Sequence, residues 1–342
     1  MLRRRTFWLT LAVTGLFVWL FLQGTNFREV GRELAQANYI FLIPAILVYF
    51  IGVWFRAWRW RLLLQPIGTT SAYRLFPVMV IAYMINDIIP GRVGIVARAY
   101  MGGEKAKVNK VTSAATIVME IILDGLTLLF LVAVVAPFVP WDNWAKILFI
   151  GIAAFSILAL LLITFLAFGE ELSRRLFRPF KRWLPHTWGK QFSIWLARFV
   201  EGLRILRKPV GMIPVFILSI LAWLSETATY YFVSLAFDLG LAYYSLLVVT
   251  AFASMAWALV VVSPGGLGAF DFVGKKALGL FAVSEGLATT YITVLHAVLL
   301  LPVILLGFVF LWWENFSFAQ VTGVAVETSS KIQSAEKDKD RQ

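Results

Sequence analysis

The chain has 342 residues, 60% of them hydrophobic, with 29 Phe, 14 Trp and a formal net charge of +12. At a mean hydropathy of +0.81, soluble domains of this length could not bury so much apolar surface, whereas a bilayer can solvate it. Cysteine is absent and only His186 and His296 represent histidine, which excludes disulfides, thiol nucleophiles, iron–sulfur centres and Cys-built zinc sites. With two histidines no multi-histidine metal site is expected, nor any cofactor. The positive charge flanks apolar runs, as in cytoplasmic loops, so it does not point to nucleic acid.

Three arginines precede an apolar stretch from Phe7 to Leu22. No small-residue cleavage site follows, so the stretch reads as an uncleaved first span with its N-terminus inside. Asn26 to Asn38 reads as a short polar loop. Tyr39 to Ala57 spans back and ends in Arg56-Ala57-Trp58-Arg59-Trp60-Arg61, which reads as interfacial anchoring. Tyr73 to Ile89 leads into Pro90-Gly91-Arg92-Val93-Gly94, and the limb after it, to Met101, is too short to span. This unit predicts a re-entrant hairpin entered from the inside. Val111 to Pro137 spans and carries Glu120 and Asp124 on one helical face. Ile147 to Phe168 returns.

Glu170 to Lys208 mixes Lys and Arg with Phe, Trp and Leu, and suits amphipathic helices on an anionic inner leaflet. Val210 to Phe237 crosses outward with Glu226 inside it. Tyr243 to Ser263 breaks at Pro264-Gly265-Gly266-Leu267-Gly268, and a second limb to Val283 holds Asp271, Lys275 and Lys276. Leu287 to Trp313 crosses inward with His296, expected to be a satisfied interior histidine. Residues 315–342 read as a disordered cytoplasmic tail.

The expected fold is an all-α polytopic membrane protein. It has about six full spans plus two re-entrant broken-helix hairpins arranged as an inverted repeat. Residues 1–314 form one membrane domain, with halves at about 39–168 and 210–314 joined by the basic linker 170–208. Of the 31 Lys and Arg, 25 fall in the proposed inside segments and three in the outside loops, which predicts cytoplasmic N- and C-termini in an inner membrane. Proline and glycine interrupt a helix, and freed backbone is tolerated in a bilayer only inside protein or beside a wet cavity. Two such breaks in corresponding places of two halves point to a shared binding site and to alternating access.

The start of each second limb offers amide N–H groups and a helix dipole, which favour an anion. Arg92, Arg98, Lys275 and Lys276 add positive charge, and a lipid phosphate fits this better than a cation. The expected substrate residues are Asn86, Pro90, Gly91, Arg92, Gly94, Arg98, Pro264, Gly265, Gly266, Gly268 and Asp271. Asp87, Glu120, Asp124 and Glu226 are expected either to pair with basic residues or to relay an ion.

Four stretches carry a resemblance. They are Arg56-x-x-Arg59-Trp60-x-x-Leu63-Leu64, Asn86-x-x-x-Pro90-Gly91-Arg92-x-Gly94-x-x-x-Arg98, Glu120-x-x-x-Asp124-Gly125 and Ser263-Pro264-Gly265-Gly266-Leu267-Gly268. In order and spacing they resemble the lysylphosphatidylglycerol synthase transmembrane-domain, or flippase-like, family. The resemblance implies an inner-membrane protein handling a phospholipid or polyprenyl lipid, with a separate lipid-modifying enzyme as a candidate partner. The family often has a glutamate where this chain has Ile95, and another where Asp271 stands. The segment after Trp313 is too short for the soluble aminoacyl-transferring domain, so no lysyl transfer is expected from this chain alone. A lipid translocase is the leading expectation. The alternatives are a membrane-embedded glycosyltransferase using a polyprenyl-phosphate-linked donor, or a scaffold for a lipid-modifying enzyme.

Overall fold

The structure, a computed structural model, describes residues 2–168, 197–203, 209–260 and 263–314. Among these residues the secondary structure is helical throughout. Eleven helices are used below: α1 (Leu2–Leu22), α2 (Phe27–Gln36), α3 (Leu42–Leu64), α4 (Ala72–Ile88), α5 (Val93–Ala106), α6 (Lys110–Val135), α7 (Asn143–Phe168), α8 (Pro209–Ala236), α9 (Tyr243–Leu259), α10 (Ala269–Gly279) and α11 (Glu285–Trp313).

Five segments are long and apolar enough to cross a membrane: Tyr39–Leu64, Lys110–Phe138, Asn143–Leu162, Val210–Ala236 and Glu285–Trp313. The pair α1 and α2, bent by 80° at the turn between them, counts as a sixth. Large apolar side chains such as Leu47, Ile147, Leu158 and Leu305 face outward, where lipid takes the place that a soluble core would supply. The chain is a polytopic helical membrane protein.

Two segments depart from the expected layout. Residues 26–38 are not a loop, because α2 occupies most of them, with the Asn26 side chain accepting from the Arg28 N–H at its start. Its Glu29 takes a hydrogen bond from Ser284 beside the start of α11. The span after it does not stop at Ala57 but runs on to Leu64. Most of the basic linker and all of the tail 315–342 lie outside the described residues. Of the linker, residues 197–202 are helical and Leu203 is buried. Gly202 sits so close to α6 that an added Cβ would meet the Thr112 carbonyl at 2.6 Å.

Each predicted interruption is present. Ile89, which precedes Pro90, is extended and ends α4, as the clash between a proline ring and the preceding residue demands. Ser263 before Pro264 is extended in the same way, and a single 3₁₀ turn, Pro264–Gly266, leads toward α10. The order span, broken pair, span thus occurs twice, as α3–α4/α5–α6 and α8–α9/α10–α11. The broadest helix contact joins α3 to α8, one from each half, and α4 runs along α11.

Candidate functional site

The two breaks meet. The turn Pro264–Gly266 packs against α4, and a Cβ placed on Gly265 would lie 3.4 Å from the Asp87 carbonyl. Arg92 adopts a left-handed conformation (φ 53°) and donates to the Trp257 carbonyl at 2.5 Å. That carbonyl belongs to the last turn of α9, whose helical acceptors lose their partners where the helix stops at Leu259. The first break therefore caps the helix that leads into the second. Asn86, Arg92, Trp257, Val260 and Ser263 line a small, partly open cleft between them with room for about one water.

Some of the amides expected to receive an anion are already engaged. The Gly94 N–H donates to Asn86 Oδ1 at 2.8 Å. The Gly268 N–H donates to Asp271 Oδ2 at 2.8 Å, so a carboxylate of the chain itself occupies the start of α10. Helix α1 covers this second break: Thr14 donates to Ser263 Oγ at 3.2 Å, and Gly268 lies against the backbone of Phe17 and Val18. Lys275 and Lys276 are not at the junction. Lys275 donates to the Phe21 and Gln23 carbonyls at 3.1 and 2.9 Å and so caps α1, while Lys276 is exposed.

A second cluster lies in the helix core, and it corrects the reading of residues 56–61. Arg56, Arg59 and Trp60 are buried rather than interfacial, with Arg59 and Trp60 at 0% exposure. Arg59 donates to Glu120 at 2.7 Å, to Asp124 at 2.5 and 3.0 Å and to Ser219 at 2.8 Å. Arg98 closes on the other oxygen of Glu120 and lies over the Trp60 ring at 4.1 Å. Arg56 pairs with Glu226, which also accepts from Ser254 at 3.3 Å. Trp223 donates to Asp124 at 2.9 Å.

Three guanidinium groups thus meet three carboxylates across α3, α5, α6 and α8. Arg98, expected at the hairpin site, belongs to this network and not to the cleft. Arg92 is left with a carbonyl as its hydrogen-bond partner and forms no ion pair among the described residues.

The third cluster joins α11 to the second break. His296 Nδ1 lies 2.7 Å from Asp271 Oδ1 and Nε2 lies 2.9 Å from the Gly265 carbonyl. Asp87, 8% exposed, has one buried oxygen, Oδ1, with no hydrogen-bond partner. Of the residues around the breaks, Trp257, Val260 and Thr14 carried no sequence signal. His296, expected to be a satisfied interior histidine, has partners at both ring nitrogens.

A bundle of apolar helices enclosing paired charges and two touching helix breaks defines a multi-pass membrane protein with a polar interior. The chain belongs to the family described as the lysylphosphatidylglycerol synthase TM region, whose model matches residues 7–307. It is also similar to the UPF0104 membrane protein PH1989 of Pyrococcus horikoshii, at 23% identity over 284 residues, covering 76% of this chain and 82% of that protein. No solved structure matches the chain.

Proposed function

We propose that the protein moves a phosphate-bearing lipid between the leaflets of an inner membrane, with both termini in the cytoplasm. The observation that carries this reading is Arg92. It is a cation at the meeting point of two helix breaks, met there by a carbonyl instead of a carboxylate. An arginine so placed has donors available for a phosphate oxygen. The family name supports a lipid context, since lysylphosphatidylglycerol is a phosphate-bearing lipid.

The cleft between the breaks has room for about one water, so loading a headgroup requires the breaks to part. Acyl chains would stay in the bilayer while the headgroup crosses between the hairpins. The two halves act as repeats of opposite topology rocking about the α3–α8 seam, the arrangement by which such folds alternate access.

The test is transfer of a labelled phospholipid, and separately of a polyprenyl phosphate, in vesicles holding the purified chain. Arg92→Ala should lower transfer by about tenfold or more, the loss expected when a charged hydrogen bond of about 1.5–3 kcal/mol is removed. Arg92→Lys should retain part of it, and both should insert normally. Wild-type transfer by Arg92→Ala would refute the site. A covalently altered lipid would indicate an enzyme, and absence of transfer by the wild type alone would indicate a scaffold.

A further inference from the structure

The geometry points to a proton-binding latch at the junction, in which protons held by His296 with Asp271, and by Asp87, keep the two helix breaks together. Both ring nitrogens of His296 face acceptors: the Asp271 carboxylate at 2.7 Å and the Gly265 carbonyl at 2.9 Å. A carbonyl oxygen only accepts, so Nε2 carries a proton. The short contact between Nδ1 and Oδ1 needs a proton as well. Whether it sits on nitrogen or on oxygen, the pair holds one proton more than a neutral imidazole beside an ionised carboxylate.

The other Asp271 oxygen is occupied by the Gly268 amide. Asp87 adds a second proton site, because an ionised carboxylate whose Oδ1 is buried without a partner would be costly at this depth, and protonation removes the cost.

The surroundings leave these two carboxylates to decide the charge. Of the helices packed against α11, α10 presents Asp271 and α4 presents Asp87. Tyr230 on α8 meets Phe270 edge-on, and the Phe270 ring lies 4.6 Å from that of His296; Tyr49 on α3 is buried. Glu29 on α2 is at the far end of α11, beside Gly286. Lys275 on α10 is turned to the end of α1.

Loss of the Nε2 proton sets a lone pair against the Gly265 carbonyl, and the second break then has no tie to α11 at that point. Its parting from α4 admits water to Asp87, which ionises. The released protons go to water in the cleft. The closed state binds more protons than the opened one, so rising pH favours opening and falling pH suppresses it. This latch does not depend on what the protein carries.

Two measurements on the full chain in lipid vesicles test it, and neither reads lipid transfer. In His186→Gln, only His296 contributes to the histidine ¹⁵N spectrum. Nε2 should be protonated at about pH 7 and should lose that proton at higher pH. Because the chain has no cysteine, Val260→Cys provides a single thiol in the cleft. Its labelling by a maleimide should rise about tenfold more steeply from about pH 6 to about pH 9 than in the same reporter carrying His296→Gln, which corrects for the thiol's own ionisation. Asp271→Asn, whose amide can donate to Nδ1 while neutral His296 keeps its Nε2 proton, should remove the His296-dependent part of the pH response. A His296 Nε2 whose protonation does not change across that range overturns the proposal. Labelling with the same pH dependence with and without His296 does so too.

Discussion

At the scale of single residues, the chain places three buried arginines against two buried carboxylates, Glu120 and Glu226, and the half-buried Asp124. Removing water from such groups costs several kcal/mol per ion, and their attraction offsets this only when the hydrogen bonds are complete. Glu120 bears most of that burden, because it serves Arg59 with one oxygen and Arg98 with the other. Glu120→Ala should therefore destabilise the protein by about 3–5 kcal/mol, the cost of stranding a buried charge, read as a lower midpoint of unfolding in detergent. Glu120→Met together with Arg98→Met should recover part of the loss, since it removes one charge of each sign.

The same residues show where sequence reading stopped. Glu120 and Asp124 were legible as a pair on one helix face. Arg56 and Arg59 were misread, because arginines and tryptophans near the end of an apolar run match an interfacial belt. Their partners lie far along the chain, with Arg56 meeting Glu226, 170 residues on. Local pattern carries no information about such a contact.

At the scale of elements, both breaks were legible because Pro-Gly pairs force them whatever surrounds the chain. What the breaks touch was not. The limbs of the first hairpin close on Gly94, where an added Cβ would meet the Ala82 carbonyl at 2.0 Å and the Asn86 side chain at 2.6 Å. Gly94→Ala should push α5 off α4, and the loss of ordered protein should appear as lower yield and a lower unfolding midpoint. Gly91 has nothing within 4 Å of such a Cβ, but its φ of +89° disfavours any side chain. Gly91→Ala should cost only about 1–2 kcal/mol of backbone strain, so the two neighbouring substitutions should separate clearly in the same unfolding assay. Helix α2 was missed because its ten residues are polar on one face and too short to stand out. It forms where α11 offers it a surface.

At the scale of the whole molecule, the two halves are fastened along α3 and α8, with the Arg56–Glu226 pair and the Arg59–Ser219 hydrogen bond crossing that seam. Helix α1 stands outside both halves yet touches the second break, through Thr14 at Ser263 and Phe17 at Gly268. It is held there by Lys275, whose ammonium takes the last carbonyls of α1 and the Thr25 hydroxyl. Lys275→Met should free that end. Hydrogen exchange in residues 22–25 should then speed up while the α3–α8 seam stays protected, which distinguishes local release from global loss of stability. The number of spans and the two hairpins were readable from apolar length and punctuation alone. The placement of α1 was not, because nothing in an uninterrupted apolar helix says which neighbour it will cover.

The hydrogen bond from Arg92 to the Trp257 carbonyl has a consequence for how any anionic cargo would be admitted. The guanidinium that fastens one hairpin to the other is the same group a phosphate would seek, so a guest that turned it to take two donors in a fork would contest the fastening. An arriving headgroup that won the contest would strip α9 of its cap and loosen the gate in the act of docking. Recognition and unlocking would then be a single event, and a molecule without a strong acceptor for arginine would find the door shut.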